Sequence, residues 1–345
     1  MTKGVIYFPY IRVPRSEWFT RVLLYWDQVS SIVPFEYIRS NGVGCYMESL
    51  IEEGLVRSIK PTDYIYQIPH FEKAFLQYVD HPCFPIPMGT IRMLGIRTLK
   101  IHMEKLGSVG DELCQRGLAR LQNYPWYEVE KYTANQFMAY LAAVLGKLPN
   151  LNSQPITDSI QNLNSFKPGF HANIGFHGTL DSLRTVVLKD VLPAPQSGIK
   201  PGEIARFKQA HRKELTRFRN HIESYLLLIS TIDNPDIKRQ ALSEFSNKLQ
   251  DEVSDISDLM LSEGWNRISL GRFLAYSTAV MGLSTAIITE SLPAIITAAL
   301  GTASSIYTTI KDTKAKNIVQ GNYAGYAVLS QRAFGPVSQY PPARR

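Results

Sequence analysis

The first apolar run is Val5-Ile6-Tyr7-Phe8, continuous rather than alternating and closed by Pro9. A run without a polar face predicts a strand buried on both sides of its sheet. A helix is expected next. Ser16 suits its N-cap, Glu17 complements its positive end, and Trp18, Phe19, Val22, Leu23, Tyr25, Trp26, Val29 and Ile32 keep it apolar around most of its circumference up to Pro34. Further helices are predicted at 46–53, 71–79, 109–116 and 133–148, with Gly54 and Gly117 as stops, and strands at 55–59, 97–103 and 126–129. This alternation implies an α/β N-terminal domain with a largely parallel sheet.

Asn, Ser, Gly and Pro dominate from 149 to 201, which places the end of that domain near residue 200. An α-helical C-terminal region follows. Ile204, Phe207, His211, Leu215, Phe218, Ile222, Tyr225 and Ile229 recur at steps of three and four and so share one helical face. A second face, from Ile237 through Phe245 and Val253 to Met260, begins after Asn234 and Pro235, a good N-cap and first-turn residue. The short joint at Asp233 folds the two helices into a long antiparallel hairpin spanning 201–265, with basic residues 208–213 opposite acidic residues 251–258.

Residues 273–310 are the most distinctive stretch, since Glu290 is their only charge. Glu290-Ser291-Leu292-Pro293 divides them into two arms of roughly 17–19 residues, each about 25–28 Å long as a helix, just short of the hydrocarbon thickness of a bilayer. Ala275, Ala279, Gly282 and Ala286 ridge the first arm, and Ala294, Ala298, Gly301 and Ser305 the second. Small ridges permit close helix packing. An apolar Gly/Ala-rich helix hairpin is therefore expected at 266–316, with Gly282 and Gly301 at the contact and Glu290 and Pro293 at the tip. Its many Ser and Thr residues favour burial, with membrane association as the alternative. A mobile tail is expected at 317–345.

With 45% hydrophobic and 19% charged residues over 345 positions, the chain has material for packed cores and is not a disordered polymer. The net charge of +7 is mild. Arg206, Lys208, Arg212, Lys213, Arg217 and Arg219 spread around the apolar stripe, so a solvated, ion-paired helix is favoured over a nucleic-acid surface. Cys45, Cys83 and Cys114 are odd in number and lack C-x-x-C spacing, and Met1-Thr2-Lys3-Gly4 leads straight into the first strand. Together these point to a cytoplasmic location.

Candidate chemistry is sparse. His171, His177 and Asp181 surround the near-repeat Gly169-Phe170-His171 and Gly175-Phe176-His177-Gly178, a weak candidate for a metal or anion, and an exposed turn is the favoured reading. Phosphate-loop, dinucleotide, G-x-S-x-G and H-E-x-x-H motifs do not occur. A carboxylate site built from Asp27, Glu48, Glu104, Glu128 or Asp158 stays open, and no cofactor is indicated.

Gly4-Val5-Ile6-Tyr7-Phe8-Pro9-Tyr10-Ile11, Trp18, Leu24-Tyr25-Trp26-Asp27 and Ile32-Val33-Pro34 resemble the start of an uncharacterised bacterial family, a domain of unknown function. His102-Met103-Glu104-Lys105, Gly117-Leu118-Ala119, Trp126-Tyr127-Glu128-Val129 and Ala139-Tyr140-Leu141-Ala142 resemble its mid-chain pattern. The resemblance implies a bacterial cytoplasmic protein and brings no reaction or cofactor. The expected role is an intracellular sensor, effector or interaction protein, in stress or phage defence, whose apolar hairpin mediates homo-oligomeric assembly, protein partnership or membrane association. The alternative is an enzyme acting on a nucleotide or phosphorylated ligand at the edge of the sheet.

Overall fold

The computed structural model describes residues 4–40, 42–92, 95–158, 192, 199–262 and 322–334. The chain divides into two compact units, Met1–Gly178 and Thr179–Arg345. In chain order the first unit runs β1 (Gly4–Tyr7), α1 (Glu17–Tyr25), β2 (Gln28–Ile32), α2 (Phe35–Arg39), α3 (Cys45–Glu52), β3 (Val56–Ile59) and α4 (Phe71–Val79). It continues with β4 (Thr98–His102), α5 (Met103–Leu106), α6 (Val109–Gln115), β5 (Ala119–Asn123), β6 (Trp126–Glu130), α7 (Lys131–Gly146) and β7 (Ser153–Ile156).

Four strands form a parallel sheet in the order β3-β2-β1-β7, and β1 is buried at every position, as its unbroken apolar run demands. The remaining strands correct the expectation of a largely parallel arrangement: β4-β6-β5 is a separate antiparallel sheet. The two-residue link Tyr124-Pro125 between β5 and β6 is far too short for a parallel crossover, which needs a dozen residues or more. Helix α7 packs on β1 and β7 of one sheet and on β4 and β6 of the other, so Phe137, Leu141 and Leu145 join one core with Ile6, Phe8 and Val129.

The first helix is also shorter than expected. It ends at Tyr25 because Trp26 turns extended while its N–H still donates to Val22 O, and Val29 and Ile32 then fall on β2 instead. Ser16 Oγ accepts from Phe19 N as the predicted cap. Gly117 does stop α6, and at φ 67° its missing side chain lets the Gly89 backbone approach to 2.5 Å of where a Cβ would lie.

Glu130 caps α7, its carboxylate accepting from Tyr132 N (2.8 Å), Thr133 N (2.8 Å) and Thr133 Oγ1 (2.9 Å). Glu130→Ala is expected to cost about 2 kcal/mol, because charged acceptors at a cap lie at the upper end of capping energies. An unchanged denaturation midpoint would show that water replaces this cap.

The second unit contains α8 (Pro201–Ala210), α9 (Arg212–Ser230), α10 (Pro235–Ser262) and α11 (Gly325–Phe334). His211 (φ −115°, ψ 31°) separates α8 from α9, so the long predicted face is carried by two helices. Asn234 Oδ1 accepts from Asp236 N (2.8 Å) and Ile237 N (3.2 Å), the expected N-cap. Helices α9 and α10 fold back on each other, Tyr225 stacking on Phe245 with centroids 4.0 Å apart and Lys238 Nζ donating to Ser230 O. Within the stretch read as a mobile tail, α11 is a buried helix whose Tyr326 packs on Phe207 and Phe218. Its Ala327, Val328 and Leu329 are covered by α9 and α10, an apolar run that the flanking Gly and Tyr residues hid.

His211 is buried against Phe207, and burial lowers its pKa from 6.5 to about 4. The unfolded chain takes up this proton before the folded one does, so stability present above pH 6.5 drains away as the pH falls towards 4. The loss is roughly 3–4 kcal/mol, at about 1.4 kcal/mol for each tenfold change in proton affinity. A His211→Leu variant should flatten that part of the acid denaturation profile, and an unaltered profile would contradict the assignment.

Among the described residues no helix is long and apolar enough to cross a membrane. The apolar stretch 273–310 with Gly282, Glu290, Pro293 and Gly301, and the loop with His171, His177 and Asp181, lie outside the described residues. No group of three or more metal-ligating side chains occurs among the described residues.

Candidate functional site

Strand order reverses beside β1: the chain steps outward through β2 and β3 and later returns to the far side of β1 with β7. Open parallel sheets take ligands beyond the carboxyl ends of their strands at such a reversal. Here that end carries Phe8 to Ile11 after β1, Val33 to Phe35 after β2, and Thr157 and Asp158 after β7.

Side chains tie these strand ends together. Tyr7 OH donates to Asp158 Oδ1 at 3.2 Å, linking β1 to the segment after β7. Burial, reinforced by that carboxylate, pushes the phenol far above its ordinary pKa, so it stays a donor at any physiological pH. Ser31 Oγ donates to Ile11 O at 2.9 Å and holds the loop leaving β1 against β2. The loop then presents exposed groups: Tyr10 is 57% exposed, Arg12 donates to Gly42 O at 2.8 Å, and the Arg15 guanidinium lies 5.5 Å from the centre of the Tyr46 ring.

The β4–α5 junction reaches the same end from the antiparallel sheet. His102 is buried, and its Nδ1 accepts from Glu104 N at 3.2 Å, which puts the ring proton on Nε2. Nε2 lies 3.1 Å from Glu36 Oε1, close but poorly aligned for a hydrogen bond, so this contact is electrostatic. Trp126 and Tyr37 flank the imidazole edge-on at 5.1 and 6.3 Å. Glu104 Oε2 accepts from Phe35 N at 2.8 Å, joining the junction to the end of β2.

Next to it Lys105, 3% exposed, donates from Nζ to Pro9 O at 3.4 Å. Desolvation drops its pKa from 10.5 to about 7. This end of the sheet thus carries a tyrosine, a buried amine, two exposed guanidinium groups and an exposed aromatic ring, residue types suited to an anion bearing a planar group.

Two of the five carboxylates picked out from the sequence, Glu104 and Asp158, stand at this end of the sheet. The others do not: Glu128 pairs with Arg120 at 2.7 Å across β5 and β6, Glu48 sits half-buried on α3, and Asp27 lies in the turn before β2. His102 and Lys105 were missed as site residues. Their one signal is a His and a Lys bracketing Met103-Glu104 at the end of a predicted strand, just before Leu106.

No family model matches the chain, and no curated protein or solved structure matches it.

Proposed function

We propose that the chain is an intracellular sensor–effector whose first unit binds a small phosphorylated ligand in the crevice at the carboxyl ends of β1 and β7. The observation that carries the reading is the reversal of strand order at β1, with Arg12, Arg15 and Tyr10 on the loop beyond it. Guanidinium groups suit phosphate oxygens, and an exposed tyrosine ring suits a base. The output belongs, on this reading, to the apolar stretch 273–310, acting on a homo-oligomeric assembly or a membrane. Stress or phage defence in a bacterium is the setting proposed for this role.

The test is thermal stabilisation of the full chain by ATP, ADP and AMP, with adenosine as control. A ligand at a hundred times its dissociation constant adds about 2.7 kcal/mol, an easily read shift. Saturable stabilisation by a nucleotide but not by adenosine, weakened when Arg12 and Arg15 are replaced by alanine, supports the proposal. No shift with any of the three removes it, and conversion of the nucleotide during the titration would favour the alternative of an enzyme.

A further inference from the structure

Lys105 has no counter-ion among the described residues, although carboxylates occur on most of the elements around it. On its own helix, Glu104 is occupied by Phe35 N. On β4 and α2, His102 and Glu36 face each other. In the turn Pro61–Asp63, which packs on α5, Asp63 pairs with Lys60 at 2.9 Å. On α6, Asp111 accepts from Tyr127 OH at 2.7 Å and Glu112 holds Arg116 at 2.7 Å. Glu72 of α4 accepts from Ser108 N at 3.3 Å.

Among the described residues the ammonium therefore meets a single acceptor, the Pro9 carbonyl, at a distance near the limit of a hydrogen bond. A buried cation in that condition is costly to maintain, and surroundings that only had to pack would be better filled by a neutral side chain. That one hydrogen bond among the described residues is with the loop that leaves β1 at the reversal point of the sheet.

We infer that Lys105 is the counter-charge awaiting the anionic group of the ligand, a phosphate oxygen taking over the place held by the Pro9 carbonyl. The inference rests on the crevice reading and adds to it a specific residue and a linked proton. With its pKa near 7, the free amine is largely neutral at pH 8 and must take up a proton to pair with the incoming phosphate. The second ionisation of a phosphate monoester lies near 6, so between pH 7 and 9 the ligand's own charge is constant. The other charged or titratable groups on the elements around the helix include Lys60, Asp63, His102, Glu104, Glu36, Asp111, Glu112 and Glu72, with Lys100 on β4, Lys73 on α4, Arg116 after α6, and Tyr10, Arg12 and Arg15 on the loop after β1. Each carboxylate among them has a partner of its own in the contacts just described.

The experiment is calorimetric titration of the full chain with the tightest binder among ATP, ADP and AMP, at pH 7, 8 and 9, in buffers of different ionisation enthalpy. Wild-type affinity is expected to fall by up to about tenfold per pH unit above 7, with net proton uptake. Lys105→Met should bind at least about tenfold more weakly at pH 7 and lose the pH slope. Lys105→Arg, whose charge is fixed, should bind without proton uptake, and circular dichroism of both variants confirms that they fold. Equal affinity and equal pH slope in wild type and Lys105→Met would overturn this inference while leaving the crevice reading in place. Failure of all three nucleotides to bind the wild-type chain would overturn both.

Discussion

Replacing Gly146 by alanine is expected to destabilise the first unit by about 3 kcal/mol or more, lowering its melting temperature by roughly 6–12 °C. Two effects oppose each other. Alanine is the better helix former by about 1 kcal/mol, so Gly146 at the end of α7 invites a stabilising substitution if only the helix is considered. A Cβ there would lie 2.0 Å from the carbonyl oxygen of Ser153 and 3.1 Å from its carbon. Both atoms are backbone, so no side-chain rotation relieves the clash; either α7 tilts or β7 leaves β1. The contact term outweighs the propensity gain. A thermal melt of Gly146→Ala matching that of the wild type would show that α7 and β7 are not held this closely.

That contact also explains part of what the sequence hid. Gly146 reads as an unremarkable residue inside a helix, and Ser153-Gln154-Pro155-Ile156 lies in a stretch whose Asn and Pro residues look like a linker. Pro155 is tolerated because β7 stands at the edge of its sheet among the described strands, where a missing donor leaves no partner unsatisfied. Strand β2 was hidden for a different reason: Val29 and Ile32 continue the spacing of α1, while Ser30 and Ser31 dilute the β signal even though both are fully buried. The elements that were legible are those with their own local punctuation. Helix α4 occupies Phe71–Val79 as its apolar spacing demands, α6 ends where Gly117 permits a left-handed turn, and α10 starts at the Asn234 cap.

The site was less legible than the fold, because its character comes from tertiary burial. Lys105 in the sequence is one more lysine in a short charged segment. It becomes unusual only when β4 and α5 are set against the loop after β1 and the neighbouring carboxylates find other partners. Glu104 and Asp158 could be named as acids but not chosen from the other candidates, since the choice depends on which strands lie side by side.

Lys105→Met is expected to make the protein more stable, by an amount that depends on pH in a definite direction. The unfolded lysine binds its proton with a pKa near 10.5 and the folded one near 7. Above about pH 10.5 both are neutral and the lysine carries no penalty. As the pH falls below that, the unfolded chain binds a proton that the folded chain refuses, so wild-type stability declines until the folded amine is itself charged. At about 1.4 kcal/mol for each tenfold loss of proton affinity the full penalty is on the order of 5 kcal/mol, reached below pH 7.

Methionine keeps the unbranched stem and its packing while removing the charge, so the variant escapes the whole penalty. Denaturant melts of both proteins should therefore differ most at pH 7 and below and converge as the pH approaches 10. Other groups titrate in both chains and cancel in the difference. A gap that does not change with pH would mean that the amine is solvated or paired in the folded state. A gap that closes on schedule would show that the fold carries a destabilising cation, the pattern expected where a residue serves binding rather than packing.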